Sequence, residues 1–208
     1  MNIRSTEYTI YNNLFKYIDI IGFEPVLEED NGKDTAVKKE KEDLIKTLQF
    51  YSYIKIKALN KDDPNDIMYV FLISDSTTVS KSMEFKKILN TIPDKKAHLV
   101  IVSKDGLKTP VKKFLAKYTK KTLFVRDLLY ANFKVDVRQN ALVPLHILCT
   151  LEETKKIMND NKVENLHEFP KIKHDDPQVL WVGGKPGQLI KVIRRDKTGE
   201  VLYYRIIV

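Results

Sequence analysis

The chain reads as an α/β protein in two parts, residues 1–139 and 140–208. Three observations predict this. Apolar runs of strand length alternate with amphipathic helical spacings between residues 50 and 130. A helix with a capping signal begins near residue 150. The end of the chain reads as a hairpin, entered through a stretch rich in Pro and Gly.

From the N-terminus, Ile10, Leu14, Tyr17, Ile18 and Ile21 recur at spacings of three and four, the stripe of an amphipathic helix. Gly22 is its stop signal, since glycine tolerates the left-handed conformation that closes helices. Glu24 to Glu42 is mostly polar, with a turn at Asn31-Gly32 and a mixed charge run at 38–43 that reads as solvated surface. Phe50, Tyr51, Tyr53, Ile54 and Ile56 are strand-prone. Asp62-Asp63-Pro64-Asn65 is a turn cluster, and Ile67–Ile73 is a continuous apolar run, as in a strand covered on both faces. Phe85, Ile88, Leu89 and Ile92 return to helical spacing, ended by Pro93. Leu99–Val102 is a second buried strand. Val111, Phe114, Leu115 and Tyr118 form another helical stripe, and Leu123–Val125 a third strand.

Beyond residue 140, Thr150-Leu151-Glu152-Glu153 has capping-box form and opens a helix to about Asn161. Pro170, Pro177, Pro186, Gly183, Gly184 and Gly187 mark turns. The hairpin is expected to pair Gln188–Arg194 with Val201–Ile207 around Asp196–Gly199.

Composition narrows the function. No run approaches the ~20 apolar residues of a membrane-spanning helix, and the N-terminus has no apolar signal core, so neither a membrane nor secretion is expected. The single cysteine, Cys149, excludes an internal disulfide framework. The net charge is +8, from 36 basic and 28 acidic residues. Only six of the bases are Arg, at 4, 126, 138, 194, 195 and 205. Lys acts as a point charge, whereas Arg suits bidentate recognition. The balance suits diffuse attraction to a polyanion, or simple solubility.

Enzyme signatures are weak. His146, Cys149, His167 and His174 lack the tight second pair of a structural zinc site. Asp66 with Glu84 and Lys86 echoes a metal-dependent nuclease pattern, but Glu84 and Lys86 fall on a helical segment, where positions two apart diverge by about 200°. Gly183-Gly184-Lys185-Pro186-Gly187 lacks phosphate-loop spacing, and Pro186 removes an amide. Nothing marks Cys149 as activated. No metal or cofactor is expected.

The strongest signal is basic. Residues 104–121 hold seven lysines against Asp105, which is +6 of the chain's +8. With Val111, Phe114, Leu115 and Tyr118 facing inward, Lys104, Lys108, Lys112 and Lys113 are expected on an exposed loop and helix face. Such a loop after a strand can approach a phosphate backbone.

The C-terminal third carries a specific resemblance. Leu142-Val143-Pro144-Leu145-His146, the capped helix, Phe169-Pro170-Lys171-Ile172, Asp176-Pro177, Gly183, Lys185-Pro186-Gly187-Gln188 through Arg194, and the closing Tyr203–Val208 resemble the fifth shared subunit of eukaryotic DNA-directed RNA polymerases. The archaeal counterpart of that subunit, which consists of little more than this portion, is similar as well. Asn60–Asp66, Leu99–Val102 and Gly106–Pro110 extend the likeness more loosely toward the N-terminus. The chain departs from the family pattern at Leu145, where an acid is usual, at Gln178-Val179-Leu180-Trp181, and at Gly184, where a bulkier residue is usual.

The resemblance implies a non-catalytic polymerase subunit. Its C-terminal assembly domain would dock on the largest subunit and meet other core subunits. Its N-terminal domain would be restriction-endonuclease-like in fold without the catalytic residues, forming a lower jaw near downstream double-stranded DNA. DNA contact would fall to Lys104, Lys108, Thr109, Pro110, Lys112 and Lys113. Pro144, His146, Pro170, Ile172, Asp176, Pro177, Gly183, Gly187, Gln188 and Arg194 would shape the subunit interface, some of them through backbone geometry alone. The nucleus is the expected location for a cellular protein, and cytoplasm or virion for one encoded by a large DNA virus. The alternatives are a free-standing DNA-binding or nuclease-related protein that would depend on Asp66, and a separate transcription factor sharing the assembly domain.

Overall fold

A computed structural model describes residues 3–26, 29–30, 33–34, 53–74, 97–116, 123–196 and 199–208. The Asn31-Gly32 turn, the charge run at 38–43, the helix expected around 81–92 and the lysines at 117, 120 and 121 lie outside them. Two compact units divide the chain, Met1–Val135 and Asp136–Val208.

The first unit is built on a five-stranded sheet. Helix α1 (Ile3–Ile20) is followed by β1 (Phe23–Val26), the short pair β2 (Glu29–Asp30) and β3 (Lys33–Asp34), β4 (Tyr53–Asn60), β5 (Ile67–Ile73), β6 (Ala97–Ser103), α2 (Thr109–Ala116) and β7 (Leu123–Leu129). The sheet order is β1-β4-β5-β6-β7. β1, β4 and β5 run antiparallel, whereas β5, β6 and β7 are parallel. The polar reading of the segment from Glu24 is corrected at its start, where Pro25 sits inside β1. A proline lacks the ladder amide, and β1 tolerates it because it is an edge strand.

The apolar stripe of α1 packs as its spacing requires: Ile10, Leu14, Tyr17 and Ile18 are wholly buried. Gly22 closes the helix at φ 86°. Arg126 of β7, level with Val100 in the sheet, donates to the Tyr17 hydroxyl at 3.2 Å, which places α1 on that face. On the opposite face, Val111 and Leu115 of α2 and Leu107 before it cover Phe71, Ile73, Leu99 and Ile101. Burial on both faces explains why β5 and β6 are unbroken apolar runs. A 3-10 turn at Tyr130–Phe133 closes the unit. There the Tyr130 hydroxyl donates to the Ile73 carbonyl at 2.8 Å.

The second unit holds a 3-10 turn at Val137–Gln139, β8 (Leu145–Leu148), α3 (Leu151–Asp160), β9 (Lys171–Ile172), α4 (Pro177–Trp181), β10 (Leu189–Asp196) and β11 (Gly199–Ile207). Its sheet order is β8-β10-β11-β9. The expected hairpin is present, with Asp196 opposite Gly199. Side chains of α3, Ile157 and Met158 among them, cover Phe169, Leu189 and Ile206 on one face. Val179 of α4 packs on Ile172, Ile190 and Ile207 on the other.

The capping box at α3 forms as its spacing predicts. The Glu153 amide donates to Thr150 Oγ1 at 3.1 Å, and the Thr150 amide donates to Glu153 Oε2 at 2.8 Å. That backbone hydrogen bond holds the Glu153 carboxyl below its ordinary 4.5. A lowered native value stabilises above the ordinary pKa and is lost as pH falls through the native one. Acidification from above the ordinary carboxylate value down through the lowered native one should therefore reduce amide protection in the first turn of α3. Glu153→Gln keeps an acceptor but cannot titrate, and should remove that dependence. Constant protection in the wild type between about pH 5 and 3 would show that the cap does not respond to the carboxyl charge.

Candidate functional site

The residues singled out in the sequence occupy two surfaces, one in each unit. In the first unit the chain leaves β6 through a loop, Lys104–Lys108, and enters α2. Asp127 of β7 pins this loop: both carboxylate oxygens accept from the Leu107 amide, each at 3.2 Å. Gly106 takes φ 78°, a conformation side chains disfavour. The Lys108 carbonyl accepts from the Val111 and Lys112 amides at 2.9 and 3.1 Å, starting the helix. With Leu107, Val111 and Leu115 turned inward, Lys104, Lys108, Thr109, Pro110, Lys112 and Lys113 are all exposed.

The field of this patch is smaller than its lysine count. Lys112 Nζ lies 3.1 Å from Asp127 Oδ2. Lys104 acts on Glu7, whose carboxyl burial pushes up while the lysine pulls it down. What remains is a set of solvated point charges on a fixed loop. Such a surface attracts a polyanion without reading its sequence.

In the second unit, Pro144, His146, Ile172, Asp176, Pro177 and Arg194 line one groove of about 360 Å³. The other four expected interface residues work elsewhere, in backbone geometry. Gly183, at φ 71°, ends α4: its amide donates to the Leu180 carbonyl and the Gly184 amide to the Val179 carbonyl, the paired bonds of a left-handed helix cap. Gly187, at φ 87° after Pro186, makes a four-residue turn closed by the Gln188 amide on the Lys185 carbonyl at 3.2 Å. The Gln188 side chain returns to the Lys185 amide at 2.8 Å. The Pro170 carbonyl accepts from the Ile206 amide at 2.9 Å, aligning β9 with β11. Two groove residues are also structural. Asp176 caps α4 through the Gln178 amide at 2.8 Å, and Pro177 fills its first position.

On the other face of the sheet from the groove, one end is apolar and uncovered. Leu145, Ile193 and Leu202 stand in register across β8, β10 and β11, on one face. Leu145 is 57% exposed, Leu202 48%, and nearby Leu142 91%. Adjacent exposed leucines mark a surface suited to another protein. Sequence reading missed this face; Leu145, apolar where the family usually has an acid, was its one trace.

The enzyme alternatives find little support. Asp66 Oδ1 lies 3.0 Å from His98 Nε2, and its Oδ2 accepts from Asn60 Nδ2 at 3.2 Å. Glu84 and Lys86 lie outside the described residues. No His, Cys, Asp and Glu cluster suited to a metal occurs among the described residues. In the glycine-rich stretch, the amides of Gly183, Gly184, Lys185 and Gly187 all donate within the chain, so none of them faces a phosphate. Burial, with Glu153 adding, pushes the Cys149 thiol up, the reverse of activation.

Comparison with known proteins decides the family. Residues 135–207 match the family described as RNA polymerase Rpb5, C-terminal domain. Over 154 residues the chain is 30% identical to DNA-directed RNA polymerases I, II, and III subunit rpabc1 of Dictyostelium discoideum, covering 73% of this chain and 77% of that one. The chain belongs to the family of the fifth shared RNA polymerase subunit. The RPABC1 subunit of Caenorhabditis elegans is 28% identical over 159 residues, 76% of this chain and 74% of its own length. DNA-directed RNA polymerase subunit Rpo5 of Methanococcoides burtonii is 36% identical over 76 residues, 36% of this chain and 96% of its own length. As a fifth-subunit protein the chain is a non-catalytic part of a DNA-directed RNA polymerase and functions in transcription. The groove lies within the stretch matched as the fifth subunit's C-terminal domain.

Proposed function

We propose that residues 136–208 form the assembly domain that docks this subunit on the polymerase's largest subunit, in contact with other core subunits. The observation that carries this reading is the gathering of six expected interface residues around one groove, and an uncovered apolar end on the other face of the same sheet adds to it. Exposing several leucines to water is unfavourable by about 25 cal/mol per Å² of apolar surface, so a protein partner gains from covering them. In an affinity purification of the full-length tagged chain, the largest subunit should be recovered in stoichiometric amount. Its absence would defeat the proposal.

The N-terminal unit, in the same reading, is a restriction-endonuclease-like jaw. Its mixed sheet, with helices on both faces, supports that comparison. Lys104, Lys108, Thr109, Pro110, Lys112 and Lys113 present it to downstream DNA, whose phosphates they attract weakly and without sequence preference. The working location is the nucleus, a reading supported by the likeness to subunits of RNA polymerases I, II and III. The Lys108→Glu/Lys113→Glu variant should lower the slope of log affinity against log salt for downstream duplex by about 2, since each phosphate contact contributes about 0.9. The largest subunit should be retained at its wild-type level. An unchanged slope would remove DNA contact from this loop.

A further inference from the structure

The arginines are distributed unlike the lysines. Of six in the chain, four (Arg138, Arg194, Arg195 and Arg205) fall within residues 136–208, where the net charge is otherwise small. Elsewhere nearly all the bases are lysine. An arginine kept in such a background marks a place where a planar fork is needed. Arg138 and Arg195 have acids of their own: Asp136 Oδ2 lies 2.8 Å from Arg138, and Glu200 Oε2 3.5 Å from Arg195. Arg194 and Arg205 form no such pair among the described residues, and both line the groove described above.

Each of them is held by a partner other than an acid. The Arg194 guanidinium stacks over Tyr203 with 5.2 Å to the ring centre. Arg205 donates to the Lys171 carbonyl at 3.4 Å, using one of its five N–H bonds. Asp176 is the carboxylate in the lining, and it is engaged in capping α4. The floor is apolar: Val192 is 4% exposed, with Val143 and Pro144 beside it. His146 Nδ1 lies 2.8 Å from the Pro144 carbonyl, which only accepts, so that nitrogen carries the proton and Nε2 is the ring's remaining polar atom.

We propose that this groove receives an acidic segment of the partner polypeptide, an apolar side chain resting on Val192 and Val143 with neighbouring carboxylates bound by Arg194 and by Arg205. The inference rests on the docking reading and goes beyond it by naming the chemistry of the docked segment. Two guanidinium groups that form no ion pair among the described residues, above an apolar floor, are complementary to acidic side chains flanked by apolar residues. Neutral or basic segments would leave both charges partly desolvated and unpaired.

The test uses the full-length tagged chain purified with its polymerase. Arg194→Glu/Arg205→Glu should lower recovery of the largest subunit by about tenfold or more. Arg194→Lys/Arg205→Lys, which keeps charge but loses the fork, should fall between it and wild type. Lys156→Glu, at an exposed position of α3 outside the groove, should change nothing. Trp181 fluorescence, read on the full-length chain purified alone, reports whether each variant is folded. In the otherwise unaltered chain, a photo-crosslinking residue at Val143 should join a segment of a polymerase subunit containing Asp or Glu. Wild-type recovery of the double reversal in a folded chain would overturn the groove assignment. So would an adduct to DNA, to a second copy of this chain or to a segment without acids. If the wild-type chain itself recovers no largest subunit, the docking reading fails first.

Discussion

Trp181→Ala is expected to unfold the C-terminal unit. Trp181 is wholly buried, the largest side chain in that state. The Arg138 guanidinium lies 4.9 Å from its ring centre. That guanidinium is itself fixed by Asp136, through Nε to Oδ1 at 2.9 Å and an outer nitrogen to Oδ2 at 2.8 Å. Removing a buried indole costs about 3–5 kcal/mol, and the cation–π contact adds ~0.5–2 kcal/mol. Small domains hold little more than ~5 kcal/mol in total, so the variant loses most of its margin. The chain has one tryptophan, so its fluorescence follows the unfolding of this unit without labelling. Trp181→Phe should lower the melting temperature by several degrees and Trp181→Ala should abolish the transition, as read by circular dichroism and by amide exchange in β10 and β11. Recovery of polymerase should fall with the folded fraction. A wild-type melt for Trp181→Ala would show that the indole does not hold the unit together.

In the N-terminal unit, Phe133→Ala is expected to cost about 3–5 kcal/mol. Phe133 is wholly buried, and its ring meets Tyr17 edge-on at 5.3 Å. Its carbonyl accepts from Asn13 Nδ2 at 2.8 Å. The ring through Tyr17 and the carbonyl through Asn13 both tie the last turn of the unit to α1, and Phe133→Ala removes the first of these. Burial pushes the Tyr17 hydroxyl well above its ordinary 10, as a closed core requires. In the variant that core opens, and the Tyr17 pKa should fall back toward its ordinary value. The measurements are an ultraviolet titration of tyrosine and amide exchange in β5 and β6. Unaltered protection in those strands would show that α1 is held without Phe133.

Where local chemistry decides the backbone, the sequence was readable. The stripe of Ile10, Leu14, Tyr17 and Ile18, the capping box at Thr150 and Glu153, and the turns at Gly183 and Gly187 all stand where their spacing puts them. Each rests on contacts within a few residues, or on a periodicity that any compact fold must satisfy. β1 escaped notice because Pro25 argues against a strand, and only a place at the sheet edge permits it. β8 escaped for a different reason. Its residues alternate between exposed and half-buried, with Leu145 and Ile147 exposed and His146 and Leu148 half-buried, so its hydrophobic pattern does not mark one buried face.

The same division applies to the candidate sites. Residue types and motif order were enough to assign the family and to find the lysine-rich segment. The spacing of Pro144, His146, Asp176 and Arg194 could not show that they share a groove, because they come from separate elements joined by sheet register and the α4 cap. Nor could it show that Lys112 spends part of its charge on Asp127, or that Arg138 lies over Trp181. Such pairs are made by long-range packing, which depends on how whole faces fit together and leaves no local mark in the chain. Family and local geometry are thus properties of the sequence, whereas which charges remain available to a partner is decided when the sheets close.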